Sequence, residues 1–168
     1  MRPALLAAVL LLAACTGASP DPSTDPVRIL MTDVPAVGEP FTVHVVQDST
    51  DYMDGWRATG LAGSPPPVDF AVEVAIYLGM AGSSSCPSDF ERLVVDEEAA
   101  HVYAEWSVAG GGEAKDGMRV CTADLVPRGV VLAVRRNVLP AGQFLLSLRA
   151  EVCNDCPSTP DQELVTVR

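Results

Sequence analysis

At 168 residues the chain is long enough for one ordinary domain with a full core once its opening residues are set aside. Its formal charge of −11, from 22 acids against 11 bases, repels phosphate backbones and argues against nucleic acid as a partner. With aromatics at only 5% of the chain, each one is informative about either the core or an interface.

The first element is MRPALLAAVLLLAAC: Arg2, an apolar run from Ala4 to Ala14, then Cys15. That run is well short of the roughly twenty residues needed to cross hydrocarbon, so residues 1–14 read as a secretory signal and not as a spanning helix. The residues just before the cysteine, LAAC from Leu12 to Cys15, resemble the lipobox of bacterial lipoprotein signal peptides. The resemblance implies a diacylglyceryl group on the Cys15 sulfur, cleavage before it and an acylated new amino terminus. The chemistry suits the residues, because small alanines enter a peptidase cleft and a thiolate is readily alkylated. Two acyl chains, at about 0.8 kcal/mol per buried methylene, anchor stably where one is marginal. The protein is then expected at the extracytoplasmic face of the cell membrane, attached through Cys15 without spanning it.

Residues 15–26 continue as a Pro/Ser/Thr/Asp-rich tether that cannot bury enough apolar surface to fold. At about 3.1 Å per residue its proline-stiffened course would hold a domain roughly 30 Å from the bilayer. With Arg2 removed, the remaining charge is −12, which keeps the folded part away from anionic lipid.

From Val27 to Arg168 the hydrophobic pattern has strand length and strand residues nearly throughout. VRILMTDV is the first expected strand, and PFTVHVVQD the second. The stretch from Asp48 to Pro67 is expected as a long polar loop, since Gly and Pro interrupt it. Strands then follow at VDFAVEVAIYLGM, ERLVVDE, HVYAEWSVA, MRVCTADLV, GVVLAVRRNV, QFLLSLRAEV and ELVTVR. Helical turns are expected only around Ser88 to Arg92 or Glu97 to Ala100. About eight or nine short strands with Gly and Pro between them predict an all-β, immunoglobulin-like antiparallel β-sandwich, with a small β-barrel as the alternative.

Cys86, Cys121, Cys153 and Cys156 make an even set in an exported domain, so disulfides are the expected state. Four cysteines allow three pairings. Chain entropy credits a Cys86–Cys121 bridge with about 4 kcal/mol and a Cys153–Cys156 clip with about 2, and this pairing is favoured. The C-x-x-C pair at Cys153 and Cys156 is followed by PSTPDQELVTVR, which begins in turn residues and offers no helix to activate a thiol. A redox or metal-handling role for that pair is the alternative function.

Three segments, GSSSCP (Gly82 to Pro87), CTADLVP (Cys121 to Pro127) and LPAGQFLLSLRA (Leu139 to Ala150), are similar to uncharacterised actinobacterial secreted or lipoprotein β-domains. In those domains the first two cysteines are partners, which implies the Cys86–Cys121 bridge here. The resemblance brings no activity, and Cys153 and Cys156 depart from it.

Any Ser/His or Cys/His catalysis would have to use His44 or His101, and neither accompanies a nucleophile motif. No cofactor or metal motif is present: Asp48, Asp51 and Asp54 fail the EF-hand spacing, and a looser calcium site on that loop is the alternative to a solvated acidic loop. The Asp48 to Pro67 loop carries Tyr52, Met53 and Trp56, residue types that anchor interfaces, and is the candidate binding element, although packing of Trp56 back onto the sandwich is the favoured role. The function expected is a lipid-anchored, non-enzymatic binding or adaptor domain for a protein or glycan of the cell envelope.

Overall fold

The computed structural model describes residues 25–34, 41–108, 112–113, 119–150 and 162–167. Eight strands form two four-stranded sheets. The first holds β1 (Val27–Val34), β2 (Val43–Val46), β3 (Glu73–Gly82) and β8 (Val126–Arg135), in the order β1-β8-β3-β2. The second holds β4 (Ser88–Asp96), β5 (His101–Val108), β9 (Gln143–Ala150) and β10 (Gln162–Thr166), in the order β10-β9-β5-β4. A separate two-residue ribbon pairs β6 (Gly112–Glu113) with β7 (Arg119–Val120). The fold is thus the all-β sandwich the strand pattern predicts, and the sheets do not close into a barrel.

Between the sheets, alternate residues of each strand make the main core: Val74, Ile76 and Leu78 of β3, Val130, Leu132 and Val134 of β8, facing Val102 and Trp106 of β5 and Phe144, Leu146 and Leu148 of β9. The strand pairs are antiparallel except β5 and β9, which run parallel from His101 opposite Leu145 to Trp106 opposite Ala150. That exception to the antiparallel expectation has a simple cause. Between β5 and β9 the chain crosses to the other sheet to lay down β8, so no tight turn forces the two strands into opposite directions.

The main departure from the sequence reading lies in the stretch expected as a loop. Ser49–Ala58 is a helix, α1. The Asp48 carboxylate caps it, accepting the amide N–H groups of Thr50 and Asp51 at 2.9 and 3.0 Å, with Asp51 in the first turn and Arg57 in the last. Tyr52 and Trp56, four apart, project from one face of the helix onto the outer face of the first sheet. There they join Val34, Val46, Ala75, Tyr77 and Val131 in a second core, with Phe70 and Leu61 packed against it. Gly55, which the sequence reading took as a helix breaker, is the point of closest approach: a Cβ there would lie 3.1 Å from the Tyr77 ring.

The molecule therefore has three layers, and the first sheet is covered on both faces. This explains why residues 73–80 of β3 are buried without alternation, a pattern that a half-solvated strand would not show. Arg136, in a short 3-10 turn after β8 (Arg136–Val138), stitches the layers by donating from Nη2 to the carbonyls of Gln47 and Phe70 at 3.2 Å each. Neither place offered for a helical turn is helical. Ser88 to Arg92 is strand, and residues 97–100 form the tight turn from β4 to β5.

The disulfide joins Cys86 to Cys121, as expected, with Cα atoms 5.6 Å apart. It ties the β3–β4 crossover to the segment leading into β8, at the rim of the sandwich. Cys15, Cys153 and Cys156 lie outside the described residues.

Candidate functional site

The residues of the candidate binding loop are structural. Tyr52 and Trp56 are 3% and 2% exposed, which corrects the candidate interface role and agrees with packing of Trp56 onto the sandwich; Met53 beside them is half-buried. Their polar atoms are used internally: the Tyr52 hydroxyl donates to Pro66 O at 3.1 Å, the Trp56 indole N–H to Gly63 O at 3.1 Å, and the Tyr77 hydroxyl to Tyr52 O at 2.9 Å. Tyr52 also meets Phe70 edge-on at 5.6 Å. Carbonyls of the 59–72 segment thus satisfy Tyr52 and Trp56, and this segment lies over the second core as a packed cover.

Two of the three aspartates of the same stretch are also occupied, Asp48 as the helix cap and Asp54 in an ion pair with Arg57 at 2.7 Å. Among the described residues no three His, Cys, Asp or Glu side chains cluster as metal ligands. His44 stands exposed on β2, opposite Tyr77 in the register. His101 shares a 2.7 Å hydrogen bond with Ser147 on the outer face of the second sheet, next to the Tyr103 ring, over which the Arg149 guanidinium lies at 5.2 Å. Ser147 is 4% exposed and sits in mid-strand, without the sharp turn that presents a nucleophilic serine, so the pair ties β5 to β9.

A different place collects the unusual features. Strands β1 and β4 are edge strands of their respective sheets, and between them the sandwich opens into a cleft of about 290 Å³. Its walls include Thr32 and Asp33 of β1, Asp89 and Phe90 of β4, Trp106 of β5 and Arg128 of β8. Both edge strands lose regular register there, β1 between Met31 and Val34 and β4 between Phe90 and Arg92. Bulges of this kind re-aim side chains and are frequent beside binding sites.

Asp33 is held at φ 54°, a left-handed conformation, and its carboxylate accepts from Arg128 Nη1 at 2.9 Å. Phe90 meets Trp106 edge-on at 5.7 Å. Trp106 itself is 3% exposed, and its indole nitrogen is the one buried side-chain polar atom among the described residues with no hydrogen-bond partner. A buried donor left unpaired costs about 1–3 kcal/mol. The contrast with Trp56, whose indole is satisfied, is direct.

None of these cleft residues stands out in the sequence, because they come from four strands spread over residues 29–129. The nearest available signal was Trp106 itself, one of two tryptophans in the chain.

No family model matches the chain, and no curated protein or solved structure matches it.

Proposed function

We propose that the chain is a lipid-anchored binding protein of the cell envelope. Cys15 carries the lipid, residues 15–26 space the domain from the extracytoplasmic face of the membrane, and the sandwich binds its ligand non-enzymatically in the cleft between β1 and β4. The observation that carries the binding part is the convergence at that cleft of the unpaired Trp106 indole, the Asp33–Arg128 pair and two irregular edge strands. The LAAC motif supports the anchoring, and the Cys86–Cys121 bridge suits a compartment where thiols oxidise. The charge of −11 argues that the partner is not an anionic surface.

The anchoring test is fractionation and N-terminal mass analysis of the chain expressed in a bacterial host. The wild type is expected in the membrane fraction with a diacylglyceryl-modified Cys15, and Cys15→Ser in the soluble exported fraction. An unmodified amino terminus at another residue overturns the anchor. Free thiols or bound metal at Cys153 and Cys156 after native purification would replace the non-enzymatic reading with a redox or metal-handling one.

A further inference from the structure

We infer that the β1–β4 cleft is a carbohydrate site, taking one uncharged sugar ring, such as the terminal residue of a glycan. The inference rests on the reading of the chain as a binding domain and adds the chemical class of the ligand. Four features of the cleft select it.

The first is size. Small-molecule pockets run from about 300 to 1,000 Å³, so 290 Å³ holds a single ring with its substituents and leaves longer chains to run out through the mouth.

The second is the alternation of donors and acceptors. Arg128 only donates, the Asp33 and Asp89 carboxylates only accept, and the Thr32 hydroxyl does both, while the Trp106 indole N–H is buried behind this wall without a partner. A ligand must therefore offer several groups that each donate and accept, which is what neighbouring hydroxyls on a ring supply. An apolar ligand would strip water from both carboxylates and give nothing back.

Charge is the third. One guanidinium against two carboxylates disfavours an anion such as a phosphate or a uronate, in a chain already at −11.

The fourth is the aromatic wall. Phe90 is half-buried and braced edge-on by Trp106, and the exposed side chain of Ile29 (54%) stands on the β1 side of the same opening. The electron-rich face of an aromatic ring attracts the polarised C–H groups of a sugar, so a flat apolar wall beside a polar rim matches a ring with one C–H face and an equatorial belt of hydroxyls. Sheet irregularity on both sides, with Asp33 held in a left-handed conformation against Arg128, keeps these groups around one opening instead of along the faces of regular strands.

The test uses the full lipidated chain in detergent with glucose, galactose, mannose, arabinose and N-acetylglucosamine as probes, and glucuronate and inorganic phosphate as anionic controls. Binding is read from the two tryptophan indole N–H resonances in a proton–nitrogen correlation spectrum, assigned by their loss in Trp106→Phe. At least one neutral sugar is expected to saturate, moving the Trp106 resonance and leaving that of Trp56 in place. Arg128→Gln and Asp33→Asn are each expected to weaken it by about tenfold. Trp106→Phe keeps an aromatic side chain but removes half of the buried indole along with its unpaired donor, so it is expected to fold with a modest loss of stability and to bind more weakly.

A purely structural tryptophan would show the stability result without the affinity loss. Absence of saturation by every neutral sugar up to about 50 mM, unchanged affinity in all three variants, or preferential binding of either anion overturns the inference. Failure here leaves the lipid mass on Cys15 intact as a separate result, so loss of the sugar class and loss of the anchored reading are told apart.

Discussion

Arg28 on β1 grips Glu73 at the start of β3 with three hydrogen bonds of 2.8, 3.0 and 3.1 Å, joining two strands that do not pair with each other. Glu73 is only 7% exposed, and it also accepts the Asp69 amide at 3.0 Å. Burial alone would push its carboxyl up. The hydrogen bonds from Arg28 and Asp69, with the charges of Arg28 and Arg135, outweigh that and hold it below the usual carboxylate range.

This pair predicts a loss of stability in acid. An unfolded glutamate titrates near about 4.3, so the stabilisation is complete above that value and disappears as pH falls through the lower folded value. Glu73→Gln is expected to cost about 2–3 kcal/mol at neutral pH, the low end for a buried pair because the Arg28 side chain stays 27% exposed. Urea titrations at pH 7 and pH 3 should show a smaller acid loss in the variant than in the wild type. Equal losses in both would show that Glu73 is not the group responsible.

The buried α1 face predicts that Trp56 matters for stability and not for ligand. Trp56→Ala should cost about 3–5 kcal/mol through the cavity and the lost indole bond, while Tyr77→Phe, which removes only the bond to Tyr52 O, should cost about 1 kcal/mol. Thermal melts check both. A Trp56→Ala chain that melts like the wild type would mean the helix is not docked.

Tyr52 and Tyr77 predict resistance to alkali. Burial pushes the Tyr52 phenol up to about 12 against the pull of Arg28, and pushes Tyr77 up as well, helped by Tyr52. A free phenol titrates near about 10, so this stabilisation is intact below that pH and is lost as pH rises through the folded values. Phenolate absorbance at about pH 11 should therefore show Tyr52 and Tyr77 still largely protonated while the fold persists. Full ionisation without unfolding would contradict the packed helix layer.

The disulfide predicts a redox-sensitive rim. Cys86→Ser with Cys121→Ser should lower stability by about 2–4 kcal/mol, since the bridge closes a span of 35 residues. It should also loosen the hydroxyl cluster beside it, where Thr122 and Ser84 hydrogen-bond Asp124 and hold that carboxyl below its usual range. Hydrogen exchange at the Ser84 and Thr122 amides reads this directly, and unchanged protection would place the ordering elsewhere.

Gly82 predicts intolerance of a single methyl. A Cβ there would lie 2.7 Å from Ser88 N and 2.9 Å from Cys86 O, both backbone atoms, so the β3–β4 crossover would have to move. Gly82→Ala is expected to cost about 1–3 kcal/mol, measured as a shift in the urea midpoint, and an unshifted midpoint would show that the crossover has slack.

How much of this was legible in the sequence follows the range of the interactions. Strand identity was legible because alternation and β-branched runs are local, and VRILMTDV coincides with β1 residue for residue. The Cys86–Cys121 pairing was favoured by loop entropy and resemblance, and two cysteines flanking strand ends can meet at a sandwich rim. Helix α1 was partly legible: Asp48 ahead of Asp51, with Tyr52 and Trp56 four apart, is an N-cap followed by an amphipathic face, and Gly55 masked it. Its glycine is rational only once Tyr77 is known to lie beneath it.

What only the tertiary structure decided is whatever depends on residues distant in sequence meeting in space. The burial of Tyr52 and Trp56, the parallel pairing of β5 with β9, and the cleft where Asp33, Phe90, Trp106 and Arg128 converge all arise from which strands become neighbours and which become edges. Periodicity along the chain states which face of a strand seeks the core. It does not state which sheet edge is left open, because that is set by the order in which whole strands pair.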